Sequence, residues 1–275
     1  MIRKQIFLAL ILLSLVFPKF AVGVDEKEMK FGFYADRVVV ATHTLLFNDA
    51  VSKRINEIGN RVAKASDRPD IKYTFRVVND PTINAYAAAA GFVYVNTGLL
   101  DILESEDELA AILGHEIGHI SKKHQINFIY AAHRRKVAGQ VAGIFLGAAL
   151  GVAGGMAMGP APSPYSSSYS MHQQLVQQMV DLGFKVGGAI GDAMAVSMIK
   201  GYGKKQELEA DRFAVQYTHK AGYNPNALVS VFQKLKSIKN RLEYKERVRT
   251  ASFVNAEPGL EARIKHAEDL ISKLD

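Results

Sequence analysis

The chain has 275 residues, 48% of them hydrophobic and 22% charged, enough for one sizeable core or two small ones. It has no cysteine, which excludes a disulfide framework and a lipoprotein anchor. The net charge of +7 comes in part from Arg3, Lys4 and Lys19 in an N-terminal stretch without acids, and no basic cluster with interleaved aromatics follows, so no nucleic-acid partner is expected.

At the N-terminus, Arg3 and Lys4 precede an apolar run at 6–17 that only Ser14 interrupts. Pro18 ends the run, and Ala21-Val22-Gly23 is a small-x-small cleavage pattern. Residues 1–23 therefore read as a secretory signal peptide, and the run is short for a membrane span. The alternative is a buried N-terminal helix. The mature protein is expected to be 24–275, delivered across the cytoplasmic membrane to a bacterial periplasm.

Residues 36–65 read as helical. Val38, Val39, Val40, Leu45, Leu46, Val51, Ile55, Ile58 and Val62 recur at roughly helical spacing, with Lys53, Arg54, Glu57 and Arg61 on the other face. A turn at 66–70 leads to strand composition at 73–78. Asn79-Asp80-Pro81 makes a second turn, and a second strand runs over 91–96, closed by Thr97-Gly98.

The next helix carries the chemistry. Ser105 stands three residues before Glu108 in a capping-box pattern, and Glu106, Asp107 and Glu108 put negative charge in the first turn. Leu109, Ile112, Leu113, Ile117 and Ile120 supply an apolar stripe. Within this helix lies His115-Glu116-Ile117-Gly118-His119, a His-Glu-x-x-His pattern. Histidines four apart share one helix face and can share a metal ion, while Glu116, on the flank, can reach an attacking water without being a ligand. The pattern is short and recurs by chance, so its helical setting matters. His124, five residues beyond His119, is placed off the metal-facing side and reads as structural. His43, His133, His172, His219 and His266 have no partner at ligand spacing.

Residues 137–158 are rich in Gly and Ala, with Gln140 the one strongly polar side chain, and a polar loop at 160–170 and a second small-residue stretch at 186–199 follow. This apolar insertion, 137–200, reads as a glycine-rich helical hairpin near the site, with membrane contact through 137–159 as the alternative. The helix-like stretch at 205–214 supplies Glu207 as a third ligand, the number a catalytic zinc takes from a protein. Asp211, one turn on, can hold a ligand imidazole N–H. Glu209 points to the other side and is expected to be solvated or ion-paired. A helix stop at 221–225 precedes an amphipathic helix through Leu228, Val231, Phe232, Leu235 and Ile238.

Four motifs in this order carry a family resemblance: 79–86 with Asn84, 91–100, the His-Glu-x-x-His helix, and Glu207-Leu208-Glu209-Ala210-Asp211. Over 79–263 the chain resembles the Ste24-like zinc metallopeptidases, the group of HtpX- and BepA-like gluzincin peptidases. The resemblance implies an α+β, mostly helical domain with a small sheet beside the zinc helix. It implies one zinc ion per chain on His115, His119 and Glu207, Glu116 as general base and Asp211 orienting a ligand. Polypeptides are the implied substrates, unfolded or misassembled envelope proteins among them. An extended substrate would pair with a sheet edge, for which the resemblance suggests the strand bearing Phe92, Val93 and Tyr94, with Asn84 either shaping the cleft or serving as a turn residue. The chain departs from the family where relatives carry His-Pro six residues before an arginine; here Glu257-Pro258 precedes Arg263. Glu257 could then act as a regulatory oxygen ligand or as a surface acid at a helix start. The competing functional reading is a chaperone-like or interaction protein with a closed, latent zinc site.

Overall fold

The computed structural model describes residues 23–47, 49–131, 202–239, 241 and 258–274. Residues 1–22 of the expected signal peptide, the whole insertion at 137–200 and Glu257 lie outside the described residues.

Helix α1 (Glu26–Thr42) starts on Asp25, whose carboxylate accepts the Glu28 N–H at 2.9 Å. Arg68 fastens it from across the fold, with Nη1 2.7 Å and Nη2 3.1 Å from the two oxygens of buried Glu28. Helix α2 (Asp49–Lys64) buries Ile55, Ile58 and Val62. The single helix expected over 36–65 is thus two helices, the first beginning ten residues earlier. His43 is already extended, Leu46 N–H donates to the Val77 carbonyl at 2.9 Å, and Leu45 bridges Val78. The Leu45-Leu46 pair fits a helical period, yet its backbone is claimed by a strand distant in sequence.

Strands β1 (Thr74–Val78), β2 (Ala85–Ala88) and β3 (Phe92–Asn96) form a sheet in the order β1-β3-β2. β1 runs parallel to β3 with Phe75 opposite Val93, and β2 runs antiparallel to it with Tyr86 opposite Tyr94. The β2–β3 connection is tight, with Ala90 at φ 61° and Gly91 at φ 96°. A Cβ on Gly91 would also stand 2.8 Å from the Lys72 carbonyl oxygen, so this position needs glycine twice over. β3 is the central strand, and its backbone is occupied on both sides. The expectation of a substrate-pairing edge at Phe92, Val93 and Tyr94 is therefore corrected. Val93 and Tyr94 are fully buried, and the Tyr94 hydroxyl donates to Asp36 at 2.7 Å. The strand that faces the metal helix is β2.

A single helical turn, α3 (Thr97–Leu100), leads to α4 (Glu106–Ser121), the central helix. Ser105 accepts from the Glu108 N–H at 3.2 Å, as the capping pattern predicts. The Glu108 carboxylate overshoots the box and accepts the Glu104 N–H at 2.7 Å, with Lys234 against its other face. Every residue from Glu108 to Ile120 is buried, so α4 has no solvent face, only the sheet on one flank and helices on the others. Helix α5 (Lys204–Lys220) crosses it where Gly114 and Gly118 meet Ala214 and Ala210. Helix α6 (Ala227–Lys239) buries Leu228, Val231, Phe232, Leu235 and Ile238, the face expected from sequence, and α7 (Leu260–Ile271) packs on α5 and α6. The architecture is the mostly helical α+β domain with a small sheet that the sequence implied. No described helix is long and apolar enough to cross a membrane.

Candidate metal centre

α4 places His115 and His119 one turn apart, and the first turn of α5 brings Glu207 against both. One ligand atom from each of the three lies within 4.8 Å of the others, and all three residues are buried. The two Nε2 atoms are 2.9 Å apart, with the Glu207 carboxylate 3.5 Å from His115 Nε2 and 3.9 Å from His119 Nε2. Glu207 is steadied by the Tyr202 N–H, which donates to its Oε1 at 2.8 Å.

Each histidine is held by its other nitrogen. His115 Nδ1 lies 2.9 Å from Asp211 Oδ1. An ionised carboxylate only accepts, so His115 keeps a proton on Nδ1, which leaves Nε2 as the nitrogen that gives up its proton and offers a lone pair when a metal binds. Asp211 is gripped by Arg263 from α7, with Nε donating to Oδ2 at 2.8 Å and Nη2 to Oδ1 at 2.6 Å. Arg263 is fully buried, lies 4.5 Å from the Phe232 ring centre, and comes within 3.6 Å of Glu207. His119 Nδ1 lies 2.7 Å from His124 Nδ1, and the Tyr202 ring packs on the imidazole at 4.4 Å.

His124 is the largest departure from the sequence expectation. On a continuing helix a residue five beyond His119 would lie about 140° around the axis. The chain instead leaves α4 at Ser121 and passes through Lys123 at φ 53°, and this returns His124 to the ligand it was expected to leave. Its Nε2 lies 3.2 Å from Glu209, which is also 3.7 Å from Arg212. Glu209 is thus ion-paired as expected, but its partners include a group that touches the centre.

The electrostatics divide the acids. Burial would raise Glu207 and Asp211, but the hydrogen bond from His115 and the nearby cations hold Glu207 at about 2, and the Arg263 charge holds Asp211 at about 2. Burial works against a charge on His115, yet its bonds to Asp211 and Glu207 lift it to about 9. Burial and the neighbouring His115 charge push His119 well down. Burial pushes the Glu116 carboxyl up to about 7, and the Ala87 N–H of β2 bonds to it. A carboxyl held near neutrality beside a metal-ligand cluster suits proton transfer. The donor set fits zinc: two oriented imidazole nitrogens and a carboxylate, the three protein ligands that a catalytic zinc takes.

A model of peptidase family M48 matches residues 49–271, from the start of α2 to the end of α7. The chain belongs to peptidase family M48. Among its relatives, the beta-barrel assembly-enhancing protease of Yersinia pestis is 31% identical over 99 residues, 36% of this chain and 20% of the relative. The mitochondrial metalloendopeptidase OMA1 of Schizosaccharomyces pombe is 37% identical over 92 residues, 33% of this chain and 25% of the relative. The metalloprotease LoiP of Escherichia coli K12 is 31% identical over 77 residues, 28% of this chain and 29% of the relative. The chain therefore matches about a fifth to under a third of the length of these relatives. The M48 match encloses His115, Glu116, His119, Glu207, Asp211 and Arg263. Within this M48 domain Asn84 is buried immediately before β2, and Phe92 packs edge-on to Phe33. In the sequence Arg263 is marked only by its offset from Glu257-Pro258. Its bond to Asp211 spans 52 residues, and no local pattern announces it.

Proposed function

We propose that the protein is a zinc-dependent endopeptidase acting on polypeptides outside the cytoplasm, with unfolded or misassembled envelope proteins as substrates. The observation that carries this reading is the convergence of His115, His119 and Glu207 around one point, with the elevated Glu116 carboxyl beside it. One zinc ion held by His115 Nε2, His119 Nε2 and a Glu207 oxygen would polarise a peptide carbonyl and acidify the attacking water. Glu116 takes the proton from that water and passes it to the leaving amine, the two-way transfer asked of a positioned carboxyl. Asp211, itself fixed by Arg263, keeps the His115 lone pair aimed at the metal. An extended substrate lies along the β2 side of the sheet, where backbone recognition tolerates many sequences. Export is supported by the charged, apolar and small-residue pattern of residues 1–23.

Casein cleavage by the purified protein, with and without a chelator, tests the activity. Cleavage is expected only with zinc. Glu116→Gln keeps the shape of the side chain but cannot take a proton, so it should retain zinc and lose cleavage by at least a hundredfold. A fully active Glu116→Gln protein would remove Glu116 from the mechanism. Zinc-loaded wild type that cleaves nothing, yet suppresses aggregation of an unfolded protein, would favour the chaperone-like reading.

A further inference from the structure

We propose that Glu209 and His124 form a two-link relay that positions His119 and fixes which of its nitrogens is offered to the metal. The relay rests on the metal-site reading above and extends it to two residues outside the ligand set. Its geometry is continuous and mostly buried: Glu209 Oε2 to His124 Nε2 at 3.2 Å, then His124 Nδ1 to His119 Nδ1 at 2.7 Å. His124 is 3% exposed, so its ring has no water to fall back on. The turn that delivers it is pinned as well, since Lys123 Nζ lies 2.9 Å from both Asp25 and Glu28.

Only one proton arrangement satisfies all of these contacts once His119 Nε2 faces the cluster. A lone pair on Nε2 requires the His119 proton on Nδ1. That N–H must meet an acceptor, so His124 Nδ1 is bare and the His124 proton sits on Nε2. The Nε2–H then donates to Glu209, a carboxylate that can only accept. Glu209 thereby selects the tautomer of His124, and His124 selects that of His119. The two ligand histidines are consequently supported in different ways. His115 leans directly on Asp211 in a sealed pocket, whereas His119 leans on a neutral ring whose carboxylate is about one-third exposed at 32%. His119 is the less rigidly held ligand, and Glu209 lets a surface substitution reach the metal without touching it.

The test measures zinc affinity of the whole chain by competition with a chromogenic chelator, together with the visible spectrum of the cobalt-substituted protein. Removing an outer partner of a metal-ligating histidine typically weakens binding about 10–100-fold. His124→Phe keeps a ring and loses both bonds, and is expected to fall in that range and to shift the cobalt bands. Glu209→Ala should weaken zinc less, by about tenfold, at the low end of the same range. His124→Asn should recover most of the affinity, because its Oδ1 can accept from His119 where the imidazole Nδ1 did. A purely structural His124 would give the opposite ranking, with Asn no better than Phe and Glu209→Ala without effect on zinc. Glu207→Ala separates the two levels. If it binds zinc as tightly as wild type, the metal-site reading fails and the relay with it. If Glu207→Ala loses zinc while His124→Phe and Glu209→Ala bind like wild type, the relay alone is overturned. Should His124→Phe fail to fold, Glu209→Ala decides, since its side chain lies at the partly exposed end.

Discussion

Arg263 holds a full charge out of contact with water, and Asp211 is the group that makes this tolerable. Breaking such a pair from one side leaves an uncompensated buried ion, at a typical cost of about 3–5 kcal/mol. Arg263→Met should therefore lower the unfolding free energy by about that amount in a denaturant titration. Arg263→Lys should recover only part of it, because an ammonium cannot reproduce the two parallel bonds of the guanidinium fork. The same pair sets an acid limit for the chelator-treated protein. Asp211 has an ordinary value of 3.8 and is held at about 2 in the fold, so its contribution is fully present above 3.8 and is lost as pH falls toward 2. A pH series of denaturant titrations should show stability falling through that window. Asp211→Asn, less stable throughout, should lack this component of the slope.

The seam between α4 and α5 governs whether the centre closes. A Cβ on Gly118 would stand 3.0 Å from the Phe213 Cβ and 3.4 Å from the Ala210 backbone, and one on Gly114 would stand 3.2 Å from the Ala214 Cα. These contacts are backbone or near-backbone, so the helices rather than a flexible side chain must yield. Gly118→Ala should cost about 1–3 kcal/mol of stability as overpacking. It should also reduce zinc content, because Glu207 rides on the displaced helix. Thermal melts and metal analysis of one preparation check both, and normal zinc with lowered stability would show that the seam and the centre are uncoupled. This is also the scale at which sequence and structure part company. The cluster that α4 and α5 bring together was legible because each motif is local and its spacing matches the helical turn. The split between α1 and α2 was hidden because Leu45 and Leu46 satisfy a helical period while their backbone pairs with β1. Strand order is not written in a strand's own residues, so β3 looked like an edge and is central. The return of His124 depends on one left-handed residue, Lys123, which carries no composition cue.

At the scale of the described fold, the candidate centre draws three separate helices together: α4 and α5 through His115, His119 and Glu207, and α7 through Arg263. A metal that binds only the folded chain stabilises it by mass action, by about 2.7 kcal/mol at a hundredfold excess over its dissociation constant. Zinc should raise the melting temperature in a concentration-dependent way, and a chelator should reverse the rise. Unchanged melting under saturating zinc would mean the three helices are not joined through the metal. The position of Arg263 also has a consequence in time. Asp211 and Arg263 are 52 residues apart, and the whole His-Glu-x-x-His helix precedes them both. A chain still being synthesised displays every ligand long before it contains the cation that balances Asp211. The buried acid cannot settle until residue 263 has emerged, so a growing or prematurely terminated chain carries the entire motif but not a settled centre. Protein truncated after residue 257 should accordingly bind zinc poorly and cleave nothing, despite possessing His115, Glu116, His119 and Glu207.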